Sequence, residues 1–200
     1  MKRTCCVLLL FCIALASFSG CGKAQLKNYI AVKTLSEDQK QIVDLISSNE
    51  RKYLFFEIKT EEAYKGIEFW MEIYKKGELV DSQPVSLRMT NDNGIALDSE
   101  FAVIINATPD YKWTFIYAGK EGGVSGHSNS EPNKNYASGI NAWCTLYQPV
   151  EIEDGKEIAI YASAFNQNGK IEAFDLSKLI DDNYLAACDY VHLIKCKFTK

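Results

Sequence analysis

Two histidines are present, His127 and His192, and a hydrolase would have to be built on one of them. An imidazole works as a general base only where a nucleophile and an orienting carboxylate converge on it. His127 stands among glycines and serines, whereas His192 shares a strand face with Tyr190, Ile194 and Cys196 and reads as a packed sheet residue. The Gly-x-Ser-x-Gly elbow of serine hydrolases is missing. Asp181-Asp182-Asn183 and the group Glu151, Glu153 and Asp154 offer the hard oxygens that calcium takes. Asn91 to Glu100 even carries a glycine and a glutamate at calcium-loop spacing, but Met89 stands where the first ligand belongs. All three segments read as acidic surface turns. No CxxC or His/Cys spacing suits zinc. The sequence therefore predicts no catalytic residue, no metal site and no cofactor.

Aromatic side chains are the stronger signal. Tyr53, Phe55, Trp70 and Tyr74 fall on the outward positions of two early strands, opposite Leu54, Phe56, Ile67, Phe69, Met71 and Ile73. Were these strands paired, the four would form one patch flanked by Glu57, Glu68 and Glu72. A sheet needs one apolar face to pack, so a second one requires a cover. The first reading is that an early helix lies there through Ile42, Leu45 and Ile46. Left open, Tyr53, Phe55, Trp70 and Tyr74 are the candidate ligand-binding residues, suited to a peptide, a glycan or a partner protein.

A thiol near the beginning invites a different chemistry. Lys2 and Arg3 precede an apolar run from Cys5 to Phe18, and Ser19 and Gly20 follow it. That is the order of a signal peptide, and the run is too short to span a membrane as a helix. Phe18-Ser19-Gly20-Cys21 resembles the lipobox of bacterial lipoproteins, with Gly20 supplying the small residue before the cysteine and Phe18 standing where leucine is usual. The resemblance implies cleavage before Cys21 and lipid attachment at Cys21. Residues 1–20 are then the signal peptide, 21–34 a lipidated tether and 35–200 a single domain. The expected location is the extracytoplasmic face of the cell membrane, where two or three acyl chains hold firmly and one is marginal. A plain secreted product cut near Ser19 is the alternative.

Losing Lys2 and Arg3 moves the formal charge from −4 to −6. With no basic block remaining, nucleic acid is excluded as a partner. An envelope or membrane protein is the partner that fits. If Cys21 is acylated, Cys144, Cys188 and Cys196 remain. Three separate thiols are expected, with a Cys188–Cys196 bridge as the other possibility.

The periodicity then places the elements. Ser36 and Gln39 form a capping-box pair, while Lys40 stands where a hydrophobic staple would need an apolar residue. An amphipathic helix is predicted from Glu37 to about Ser47. Period-two segments follow at Leu54–Ile58, Ile67–Ile73, Val85–Met89, Phe101–Ala107, Tyr111–Tyr117, Ala142–Tyr147, Glu157–Phe165 and Tyr190–Phe198. Thr108-Pro109-Asp110 fills one joint. Residues 119–139 form the longest polar stretch and read as mobile surface or a recognition loop. The predicted fold is mainly β: an antiparallel β-sandwich of seven to eight strands in two packed sheets, with one N-terminal amphipathic helix.

The lipobox-like Phe18–Cys21, the polar tether and the helix-then-strands layout together resemble the small extracytoplasmic lipoproteins of Gram-positive bacteria of the clostridial type. The resemblance implies no substrate. The expected function is a non-enzymatic binding or protein-interaction module at the cell surface. The alternatives are a cell-envelope hydrolase and a structural envelope protein.

Overall fold

A computed structural model describes residues 26–47, 51–106, 112–120, 122–128, 139–167, 169, 171, 176 and 182–200. Residues 1–20, read above as a signal peptide, and Cys21, Thr108-Pro109-Asp110 and Asp181 lie outside them. The chain runs β1 (Tyr29–Val32), α1 (Glu37–Ile46), β2 (Arg51–Lys75), β3 (Glu78–Asn106), β4 (Lys112–Gly119), β5 (Gly122–Ser128), β6 (Ile140–Thr145), β7 (Val150–Glu151), β8 (Glu157–Asn166), α2 (Asp182–Ala186) and β9 (Tyr190–Thr199). All strand pairs are antiparallel, in the order β5-β4-β3-β2-β9-β8-β6, with β1 beside β2 and β7.

The first four period-two segments are the halves of two long strands. β2 holds the first two and β3 the next two, and the pair bends together at register shifts between Lys59 and Ala63 and between Tyr64 and Gly66. Bulges of this kind add twist and turn a strand without ending it. Thr60 repairs the interrupted ladder: its buried Oγ1 accepts from Leu97 N–H at 2.8 Å and donates to the Glu62 carbonyl at 2.8 Å. Gly66 pairs with Thr199 of β9, and a Cβ there would meet Thr199 Oγ1 at 2.3 Å, so that hydroxyl would have to turn away.

On one side of the bend β2 and β3 carry β1, β4 and β5; on the other, β2 carries β9, β8 and β6. The two halves fold over a shared core. Phe69 stacks on Phe101 with ring centroids 3.8 Å apart, and Phe101 meets Phe115 edge-on at 5.3 Å. Lys52 at the start of β2 lies 5.1 Å from the ring of Trp143 on β6. The antiparallel, mainly β architecture with one early helix is what the periodicity predicts. Its two layers come from one sheet curled on itself, because the hydrogen-bond ladder continues through the bend.

Two segments acquire more structure than their composition suggests. Residues 29–32, at the end of the stretch read as tether, form β1, and Ile30 is fully buried opposite Ile58. Residues 122–128, inside the polar stretch read as mobile surface or a loop, form β5 in unbroken register with β4. Pairing holds β5 straight although Gly and Ser are poor strand formers.

The helix departs from expectation in its packing. Ser36 caps it with both halves of the capping box in place. Yet none of its residues is buried, and Leu45 is 85% exposed. It does not cover the aromatic face. A different element covers the outer face of β8 and β9: Leu185 of α2 and the following Cys188 lie over Ala162, Ala164, Val191 and Leu193, with Tyr74 at the margin.

Candidate functional site

Bending β2 and β3 opens a cleft on the concave side, with a volume of about 590 Å³. Tyr64 and Ile67 of β2, Leu97 and Ser99 of β3 and Tyr117 of β4 line it, and Gly122 to Val124 of β5 form part of its rim. Inward positions of β3 past the bend are Leu97, Ser99, Phe101, Val103 and Ile105, all buried. Ser99 is the single hydroxyl in that row. Its Oγ is closed off from solvent and makes no hydrogen bond of good geometry, although the Tyr117 phenol is near enough to feel it. Burial pushes the Tyr117 hydroxyl above its ordinary pKa, opposed by Ser99, so it stays protonated and able to donate. The Tyr64 hydroxyl is used internally, donating to the Ile152 carbonyl at 3.2 Å. The charged residues of the lining are exposed Lys65 and, at the mouth, Lys120 paired with Asp98 at 2.9 Å. A mainly apolar recess with a few convergent polar groups is the form ligand sites take.

A second polar constellation lies on the outer face. Glu72 of β2 is a buried carboxylate that accepts from Trp70 Nε1 at 3.0 Å and from the Tyr74 hydroxyl at 2.6 Å. Lys195 Nζ sits 2.9 Å from Glu72 and 3.3 Å from Glu157. Burial alone would raise the pKa of Glu72, but the Trp70, Tyr74 and Lys195 donors outweigh it and hold the carboxyl below its usual range. All three β2 residues share one face at a spacing of two, and Lys195 is the register partner of Trp70.

The four aromatic candidates therefore divide. Trp70 is 6% exposed and, with Tyr74, belongs to the Glu72 network. Tyr53 and Phe55 are half-buried on the same strand beyond the bend, where the Tyr53 hydroxyl lies 3.5 Å from the Ile46 carbonyl. The segments 53–58 and 67–74 do not pair with each other, since they are successive stretches of β2. The structure does not gather the four into one patch.

His192 is buried against Trp113, with ring centroids 5.4 Å apart, and burial lowers its pKa to about 4. His127 is on the other layer, exposed on β5 opposite Thr114. Cys144, Cys188 and Cys196 are not joined in disulfides. Cys196 packs in the central core and Cys188 in the outer cluster, so the sheet stands between them. Among the described residues no three His, Cys, Asp or Glu side chains gather as a metal would require.

The sequence reading did not find the cleft, and one signal could have pointed to it. A lone serine in an inward row of apolar residues marks a place where the core is not closed. That Tyr64 and Tyr117 face it depends on the bend.

The family model described as the YgaN domain matches residues 29–198, from the first residue of β1 to the last but one of β9. No curated protein and no solved structure matches the chain.

Proposed function

We propose that this chain, which belongs to the YgaN domain family over residues 29–198, works as a non-enzymatic binding module, held on the extracytoplasmic face of the cell membrane by lipid on Cys21. The observation that carries the binding reading is the cleft between the bent strands and β5, with its apolar walls and buried hydroxyl. The anchoring reading is supported by the apolar run ending in Phe18-Ser19-Gly20-Cys21, with β1 beginning eight residues later. Anchoring keeps the module near membrane and envelope partners, so that modest affinities suffice.

Native mass spectrometry of protein released gently from the membrane fraction tests both. The expected result is an acylated peptide beginning at Cys21 and a non-covalent adduct that denaturation removes. Leu97→Trp, which fills the cleft, should abolish the adduct while leaving the acylation. An unmodified terminus elsewhere would overturn the anchor. Identical native and denatured masses would overturn the binding module.

A further inference from the structure

We propose that the cleft takes an uncharged, mainly apolar small molecule carrying one hydrogen-bonding group, seated against the hydroxyls of Ser99 and Tyr117. This rests on the reading of the cleft as a binding site and names the chemistry it selects. Ile67, Leu97, Met89 and Ile95 make its lining apolar, so the ligand must bring apolar surface of its own. Ser99 is the unusual element. A buried hydroxyl without a well-formed hydrogen bond is costly, and turning Ser99 about its Cα–Cβ bond toward a partner in the cleft relieves that cost. Tyr117 stands beside it, and the missing side chain of Gly119 keeps the phenol open: a Cβ there would sit 3.3 Å from the tyrosine oxygen. Two hydroxyls offer both donation and acceptance, which suits an amide, a carbonyl or an alcohol.

Charge is selected against. An ionised group carried to the depth of Ser99 would lose its hydration and find no opposite charge there. At the mouth Lys120 pairs with Asp98 and Lys65 lies exposed to water, so none of these charges reaches the depth of Ser99.

Three probes of one shape separate the possibilities: benzamide, benzoate and toluene, titrated into ¹⁵N-labelled protein and followed by amide shifts. Benzamide is expected to shift Leu97, Ser99, Tyr117 and Gly122–Val124 saturably, and to bind more tightly than benzoate. Ser99→Ala should weaken benzamide about fivefold, the worth of one ordinary hydrogen bond, and leave toluene unchanged. Tyr117→Phe provides a second variant with the same expectation. Benzamide binding unaffected by both substitutions, or benzoate binding more tightly, would overturn this inference and leave the cleft a binding site. No saturable shift in the cleft with any probe would overturn both.

Discussion

Trp113 of β4 and Tyr161 of β8 meet edge to face with ring centroids 6.1 Å apart, although β3, β2 and β9 lie between their strands in the sheet. Four steps of about 4.8 Å would put these strands about 19 Å apart in a flat sheet. The contact exists because the bend in β2 and β3 brings the layers face to face, so this aromatic pair reports directly on closure of the curl.

Truncating Trp113 tests that closure. Trp113→Ala is expected to cost about 3–5 kcal/mol, as large buried aromatics do, measured by guanidinium unfolding followed by far-ultraviolet circular dichroism. A loss under about 1 kcal/mol, typical of an exposed substitution, would mean that the layers do not depend on this contact.

Trp70 separates packing from hydrogen bonding. Trp70→Ala should cost about 3–5 kcal/mol through the cavity it leaves. Trp70→Phe keeps most of the ring but removes the donor to buried Glu72, and should cost about 1–3 kcal/mol. Leu45→Asp, on the uncovered face of α1, should change stability by no more than about 0.5 kcal/mol. A large effect at Leu45 together with a small one at Trp70 would reverse the assignment of which apolar face is covered.

Two groups give the pH profile distinct limbs. His192 titrates near 4 when folded against 6.5 ordinarily, so between these values the unfolded chain binds more protons and stability falls as pH falls. The total is about 3 kcal/mol, and His192→Gln should flatten this limb. Glu72, whose folded pKa is depressed, contributes fully above the ordinary carboxylate range and loses that contribution as pH falls through the folded value. Glu72→Gln should therefore cost stability at neutral pH and flatten the profile at the acid end. Urea midpoints across pH 3–8 would show both limbs; a profile unchanged by either variant would contradict these environments.

Thiol labelling should follow burial. Cys144 is half-buried and should react with a disulfide reagent first. Burial raises the pKa of Cys188 and, much further, that of Cys196, and both should label only as the protein unfolds. A Cys188–Cys196 bridge in non-reducing peptide maps would contradict their placement in separate clusters.

Local rules made a good part of this structure readable. Ser36 and Gln39 specify the start of α1 because capping involves only neighbouring residues. Alternation assigns Phe56, Ile58, Ile67, Phe69 and Met71 to one face because a strand has period two whatever it pairs with. The same rule put Trp70, Glu72 and Tyr74 together on the other face, where they share a carboxylate. What lay beyond reach was every decision made by distant partners. Whether the break in pattern between Lys59 and Gly66 ends a strand or bends it depends on β3 bulging alongside, and Leu97 must come to Thr60 for the bend to hold. β5 is a strand only because β4 pairs with it. Which apolar face is covered was settled by packing: Leu185 and Cys188 lie over the outer face of β8 and β9, while Ile42, Leu45 and Ile46 remain in solvent. The cleft, made by the bend and rimmed in part by β5, belongs wholly to the tertiary structure, because its walls come from segments far apart in the chain.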